Sequence, residues 1–290
     1  MFLTLEHRFA FVHIPKTAGE QLFQIFVNGI LSKSWYPPLN IAYWGQDAHS
    51  VLDITHLHQD VLYQYIPEHL YNECVSFCVV RNPYNRFYSA FGDLPSKIAY
   101  CRRSSRRTPN PHPFWIEKYP EYPNPKASNV NAAEAFVTFC QIIDSRRIPT
   151  DTVTKHNIHV IPQHRFVYRA NGSKNVKEVL RFEQLHKELP ALFIKHKLPF
   201  VRNTRFTNRG KKWNQRRVHF NDLDVSRLSK SYLSKFTPSS IALVNKWYKR
   251  DFEAFGYDMI DPTSFEVPAS TITPLRKSKK SSRKTKRRRR

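Results

Sequence analysis

The sequence predicts an α/β fold, with a central, mostly parallel sheet flanked by helices. Two strand–turn–helix units carry that expectation. In the first, the apolar run Phe9-Ala10-Phe11-Val12-His13-Ile14 stops at Pro15, and Leu22, Phe23, Ile25, Phe26 and Ile30 then recur at helical spacing. In the second, Val75-Ser76-Phe77-Cys78-Val79-Val80 has the continuous apolar character of a central parallel strand. It runs into Arg81-Asn82-Pro83, where proline suits the first turn of a helix. The rest of the chain alternates short apolar runs with helical patterns, and no repeat is present.

In chain order, the pattern predicts a strand at 8–13, a helix at 20–31 and a loop at 33–48. A strand near 51–55 and a short helix near 60–72 precede the strand at 75–80 and a helix from 83. Residues 101–130 change character. Arg102-Arg103-Ser104-Ser105-Arg106-Arg107 leads into a stretch of prolines and aromatics up to Pro125, which reads as a long ordered loop or lid. Ala132–Ile143 is helical. Phe166-Val167-Tyr168 and Val176–Arg181 are expected as strands, and Gln184–Lys195 and Ser239–Phe252 as helices. One domain over 1–260 and an irregular basic tail over 261–290 complete the expected organisation.

Both turns suit anions. A turn that opens a helix points free N–H groups outward, the helix dipole adds positive partial charge, and Lys16 adds a full one. Arg81 sits at a strand's C-terminal end, where open α/β sheets bind ligands. Ser89 lies about two turns into the following helix, with Arg86 one position off its face. A guanidinium fork with a hydroxyl suits a second phosphate group. Taken singly, Lys16 is an ordinary surface lysine and Arg81 an ion-pair partner; two phosphate-type sites on neighbouring strand ends are harder to dismiss. No glycine precedes Lys16 in the turn, and with seven glycines in the chain the Gly-x-x-x-x-Gly-Lys phosphate loop is absent.

The segments Pro15-Lys16-Thr17-Ala18-Gly19 and Arg81-Asn82-Pro83, followed by Arg86 and Ser89, resemble the two cofactor signatures of carbohydrate sulfotransferases. The resemblance is to the group of heparan sulfate 2-O-sulfotransferases and their soluble microbial and viral relatives. Arg181-Phe182-Glu183-Gln184-Leu185 and Trp247–Tyr257 resemble later family segments, so the likeness spans about 8–257. It implies a P-loop-like three-layer fold and transfer of a sulfuryl group from 3′-phosphoadenosine 5′-phosphosulfate (PAPS) to a hydroxyl, first of all a carbohydrate hydroxyl. Pro15, Lys16, Thr17, Ala18 and Gly19 would bind the 5′-phosphosulfate, and Arg81 and Ser89 the 3′-phosphate. The family places a hydroxyl residue after the glycine, where Glu20 and Gln21 stand here. Gln21 would supply the missing donor with Glu20 turned to solvent; the other reading is weakened PAPS binding in an inactive relative.

In-line sulfuryl transfer asks for charge stabilisation at the leaving oxygen, assigned to Lys16, and a base for the acceptor. Val51-Leu52-Asp53-Ile54-Thr55-His56-Leu57-His58 alternates like a strand end, which would set His56 and His58 on one face. Histidine suits a base near neutral pH. His56 is preferred, with His58 on substrate or base, and two loop histidines are the plainer alternative. The family likeness extends to His159 and Gln163 near the acceptor and nucleotide pockets. Arg209-Gly210-Lys211 is either a clamp on the 3′-phosphate or a solvated basic loop. The mechanism requires no metal, and the His56/His58 pair has no cysteine or carboxylate cluster around it.

The chain has 290 residues, 40% of them hydrophobic, enough for one sizeable core. No apolar run approaches the roughly 20 residues of a membrane span, and no leader is evident. The four cysteines form no metal pattern and are expected reduced. These features predict a soluble cytoplasmic protein. Net charge is +24, with eleven cations and no acid over 276–290. Such a tail suits nucleic acid, an anionic surface or a polyanionic glycan, or a nuclear address. A basic nucleic-acid-binding protein is therefore the competing function, although the aromatics fall in core-like segments and not beside basic grooves.

Overall fold

The computed structural model describes residues 2–4, 8–19, 21–22, 56–60, 62–92, 132–145, 158–198 and 230–267. Among these residues the sheet has four strands, β1 (Phe2–Thr4), β2 (Phe9–Val12), β3 (Val75–Val80) and β4 (Glu178–Arg181), side by side in that order. β1 runs antiparallel to β2, whereas β2, β3 and β4 are mutually parallel. Helices α1 (Leu62–Tyr65) and α2 (Glu68–Glu73) precede β3, and α3 follows it over 83–92. Helix α4 (Ala132–Ser145), α5 (Leu185–Lys195) and α6 (Pro238–Phe255) complete the described framework. The α/β class with a parallel sheet between helices is as the sequence predicts.

Strand alternation builds two cores from one sheet. Ala10, Val12, Cys78 and Val80 face Leu57, Leu62, Ile66, Tyr71, Phe166 and Phe255. Phe9, Phe11, Phe77 and Val79 face Leu22, Phe182 and the apolar stripe of α5. Phe11 and Phe77 are register partners, with ring centroids 5.2 Å apart. A third cluster joins α3, α4 and α6 through Phe87, Phe91, Phe136, Phe139, Val244 and Phe252. Burial of the Cys78 thiol inside β3 raises its pKa, and Cys140 is pushed up to about 12 by the same cause; both are free thiols.

Helix α6 carries its boundaries in its sequence. Thr237 and Ser240 form a capping box, Pro238 occupies the first turn, and Gly256 (φ 62°) ends the helix with the Tyr257 N–H on the Phe252 carbonyl. The helix therefore runs one turn past the expected Phe252. Its buried face includes Asp251, which is 0% exposed. The Asp251 carboxylate accepts from the Gln163 N–H (2.7 Å), the His164 N–H (2.8 Å) and His164 Nδ1 (2.8 Å).

That carboxylate corrects one strand expectation. Phe166-Val167-Tyr168 is not a strand: Asp251 captures the first N–H groups of 163–166, which coil into a 3₁₀ helix, and the Val167 and Tyr168 N–H groups return to the His164 carbonyl. Tyr168 makes a single bridge to Lys174 across the Asn171-Gly172-Ser173 turn. The expected helix at 60–72 is divided by Pro67, whose extended backbone ends one helical turn and opens the next. All of the 20–31 helix but residues 21–22, the strand at 51–55, the 101–130 loop, the 203–212 basic loop and the tail from 268 lie outside the described residues.

Residues 56–60 are not a strand but end in a turn at 59–60, and His56 and His58 meet different partners, His13 and Asp60. The turn is tied down by Gln59, which donates from its main chain to the Arg165 carbonyl and from its side chain to the Phe166 carbonyl. His58 is 4% exposed. Its Nδ1 lies 3.3 Å from Asp60 Oδ2, misaligned for a hydrogen bond, while Asp60 pairs with Arg165. Burial holds the His58 imidazole below its ordinary value, outweighing the Asp60 carboxylate.

Two outcomes follow from these buried groups. Asp251→Ala strands two buried N–H groups and is expected to cost about 3 kcal/mol, read as a fall in midpoint on urea or thermal unfolding. In acid, the unfolded chain binds a proton at His58 that the folded chain resists. Stability is thus expected to fall as pH drops below the ordinary imidazole value of 6.5 toward the lower folded one. His58→Gln should flatten that part of the stability–pH curve; an unchanged slope would count against the buried neutral imidazole.

Candidate functional site

The loop after β2 is rigid for reasons written into its residues. Thr17 is fully buried, and its Oγ1 donates back to the Ile14 carbonyl (2.8 Å). Lys16 and Ala18 both adopt φ of 69°, the left-handed region that non-glycine residues avoid at a cost of about 1–3 kcal/mol each. Left-handed residues in a turn curl successive N–H groups toward one side, the concavity that binds anions. The chain turns helical at Gly19, and Leu22 donates to the Ala18 carbonyl and anchors in the core beneath. Gly19 has an ordinary φ, and its requirement is space. A Cβ there would lie 1.7 Å from His13 Nε2.

Arg81, at the end of β3, and Arg86, on α3, grip this loop by its main chain. Arg81 Nη1 donates to the Lys16 carbonyl (3.0 Å), and Arg86 Nε donates to the preceding Pro15 carbonyl (2.9 Å). Arg81 is 6% exposed and Arg86 1%. Arg81 Nη2 donates to Asn85 Oδ1 (2.7 Å), and the guanidinium lies 4.3 Å over the Phe182 ring. Its Nε, and Nη2 of Arg86, are buried without a hydrogen-bond partner among the described residues. Burial lowers Arg81 to about 10, opposed by the Glu183 carboxylate, so the group stays cationic at neutral pH; burial lowers Arg86 as well.

The arginine at the strand tip is itself held. The Gln163 amide binds Arg81 as a peptide would, accepting its N–H (2.9 Å) and donating to its carbonyl (2.8 Å). Glu183 accepts the next N–H, that of Asn82 (2.8 Å), and the Tyr257 hydroxyl (2.8 Å). Asn82 Oδ1 accepts from the Tyr84 N–H (3.1 Å) at the start of α3. Arg181 reaches the Phe255 carbonyl (2.8 Å) at the end of α6.

A histidine group borders the loop on its other side. His56 is 7% exposed, and its Nδ1–H donates to the His13 carbonyl (2.9 Å). With the proton on Nδ1, the neutral ring carries its lone pair on Nε2. The His56 ring lies 4.2 Å from that of His13 and 5.8 Å, edge-on, from that of His159.

The structure thus brings Pro15, Lys16, Thr17, Ala18, Gly19, Arg81 and His56 to one end of the parallel sheet. Ser89 is half-buried on α3, one turn beyond Asn85. Gln21 is exposed in the first helical turn, and Glu20 lies outside the described residues. Thr17 spends its hydroxyl on the Ile14 carbonyl within the loop. His58 belongs to the separate Asp60–Arg165 group. No cluster among the described residues has the make-up of a metal centre. The sequence reading gave no role to His13, Glu183 or Asp251. Asp251 was detectable as a carboxylate among Val244, Tyr248, Phe252 and Phe255, on the apolar face of its helix.

The model of the family described as "Sulfotransferase family" matches residues 1–258. Neither the curated proteins nor the solved structures give a match. The family match takes in both strand-end motifs, the Gln163 and Glu183 segments and α6 through Asp258, and on that coverage the chain belongs to the sulfotransferase family.

Proposed function

We propose that this sulfotransferase moves the sulfuryl group of PAPS in line to an acceptor hydroxyl, in the first instance that of a carbohydrate, with His56 as base. One observation carries the reading: Arg81 Nη1 on the Lys16 carbonyl ties the two strand-end motifs into a single site. The donor's anionic ends suit what this site presents. Arg81 Nε and Arg86 Nη2 are buried cationic donors without a protein partner among the described residues, and a phosphate near Arg81 would return the electrostatic stabilisation that burial withdraws.

Each residue then has a chemical task. Main-chain N–H groups of 16–19 and the Lys16 ammonium meet the negative charge that builds on the bridging oxygen as its bond to sulfur breaks. Arg81 and Ser89 hold the 3′-phosphate, fixing the line of attack through a remote contact. His56 Nε2 accepts the acceptor's proton as the new oxygen–sulfur bond forms; Nδ1, fixed on the His13 carbonyl, puts the neutral ring's lone pair on Nε2. No step in this scheme is assigned to a metal.

The heparan sulfate 2-O-sulfotransferase-like group is the nearest fit to the motif wording. On this reading the transferase domain spans 1–260, and 261–290 is a basic extension suited to an anionic acceptor, or to nucleic acid or another anionic surface. No helix among the described residues is long and apolar enough to cross a membrane, in keeping with the proposed cytoplasmic site of action, with the tail as a nuclear address if one is used.

Labelled PAPS offered with a glycan panel tests the proposal, alongside calorimetry with 3′-phosphoadenosine 5′-phosphate (PAP). Lys16→Ala is expected to lower kcat by about 10²–10³-fold. His56→Ala should lower it by at least about 10²-fold, with His58→Ala keeping most of the activity. Ser89→Ala is expected to weaken PAP binding about tenfold with the fold intact. PAP binding without turnover on any acceptor would instead mark an inactive relative. Failure to bind PAP, with salt-sensitive DNA binding lost on deleting 276–290, would replace the proposal by nucleic-acid recognition.

A further inference from the structure

The base and the anion loop are separated by about forty residues in sequence, yet one side chain lies between them. The His13 ring stacks on Phe11, with centroids 5.7 Å apart, and lies 4.2 Å from the His56 ring. On another side it fills the volume above Gly19, with Nε2 and Cδ2 1.7 and 1.9 Å from where a Cβ would stand. The main chain of the same residue accepts the His56 Nδ1–H. The ring is half-buried, and its contacts with Phe11 and His56 oppose a shift away from Gly19.

We propose that His13 is a positioning residue that sets the spacing between the anion loop and the base: its imidazole acts as the spacer between Gly19 and His56, while its carbonyl selects the His56 tautomer. The inference rests on the PAPS reading, because the distance it fixes is that between the leaving oxygen and the proton acceptor. It also assigns the glycine of the Lys16 loop a reason distinct from backbone freedom. Gly19 is small because a histidine ring occupies the place of its side chain. The role is one of shape, so a flat ring without nitrogen should serve in its place. A displacement of about 1 Å between reacting groups is enough to cost about 10²-fold in rate.

Reciprocal substitution tests this on the full chain, with PAP as the probe. Gly19→Ala alone is expected to weaken PAP binding about tenfold, through a methyl that has no room. Gly19→Ala combined with His13→Ala should recover to within about threefold of His13→Ala alone, since the ring that made the clash is gone. Thermal unfolding of the same four proteins should show the same non-additivity. Histidine ¹⁵N spectra give an independent readout. Wild type and His13→Phe should both show His56 held as the Nδ1–H tautomer; His13→Ala keeps the carbonyl but loses the ring packed beside His56, so His56 should leave that carbonyl and show the two tautomers mixed. Gly19→Ala binding PAP like wild type, a double variant no better than Gly19→Ala, or an unchanged His56 signal in His13→Ala would each overturn the spacer. Absence of PAP binding by the wild-type chain would overturn the donor reading and this inference with it, whereas normal binding with additive variants removes the inference alone.

Discussion

Two buried guanidinium groups bound to two successive carbonyls, Arg86 on Pro15 and Arg81 on Lys16, are the constraint on which the rest of this site depends. The loop they hold is unfavourable by itself, since two of its non-glycine residues are left-handed. A loop with free ends would relax. Here its start continues β2, its end is pinned by Leu22, and its middle is fastened to the neighbouring strand. The parallel register of β2 and β3, with Val12 opposite Cys78, brings both strand ends to the same side of the sheet and makes the arginine contacts reachable. Sheet topology therefore precedes site chemistry. An antiparallel pairing of the same strands would send the two motifs to opposite ends.

Burying two arginines is costly, and the way the cost is met bears on function. No carboxylate forms a described ion pair with either group. The negative charges stand one step back. Asp251 stabilises Arg86 through space while its oxygens are committed to Gln163 and His164, and Glu183 stands in the same relation to Arg81 while binding Asn82 and Tyr257. A direct pair would satisfy the cations and leave little attraction for a ligand. Carboxylates held off by main-chain N–H groups keep the arginines charged yet incompletely compensated, which is the electrostatic state an anion-binding site needs. Helix α6 is central to this arrangement. It supplies Asp251 and carries Tyr248, whose hydroxyl donates to the Val160 carbonyl (2.6 Å), and its capping glycine leads directly to Tyr257. The far end of the chain thus supports the loop after the first long strand.

The parts legible in the sequence were those governed by local rules. Val75–Val80 was readable as a strand because a continuous apolar run admits few alternatives, and α3 because Asn82 and Pro83 are helix-start residues. The Lys16 turn and Arg81 could be marked as a pair because each has charge at a strand's end. Long-range capture was what escaped. Phe166-Val167-Tyr168 has the composition of a strand, but a carboxylate 87 or 88 residues away holds the N–H groups just before it and makes a 3₁₀ turn cheaper. Arg86 was seen as a residue off the phosphate face, and nothing in its neighbourhood names Pro15 as its partner. The extra turn of α6 was readable in Gly256, whose left-handed φ marks the helix end better than the last apolar residue does.

The two central histidines show how alternation alone can mislead about chemistry. His56-Leu57-His58 has the period of a strand, and a strand would give both rings one environment. The chain instead turns, and the rings part. His58 is drawn beneath Asp60 and Arg165, where burial keeps it neutral but leaves it beside a carboxylate already engaged. His56 is equally sheltered, but its Nδ1 meets a main-chain carbonyl. A carbonyl cannot donate, so Nδ1 must carry a proton, and in the neutral ring the lone pair falls on the opposite nitrogen. It also carries no full charge, so it orients the imidazole without the electrostatic pull by which a carboxylate raises basicity. As the proposed base, His56 would gain in readiness more than in strength, and its contribution would come from where its lone pair points. On that proposal the burden of the reaction falls on geometry, and therefore on the contacts that join the His56 turn, β2 and the Lys16 loop.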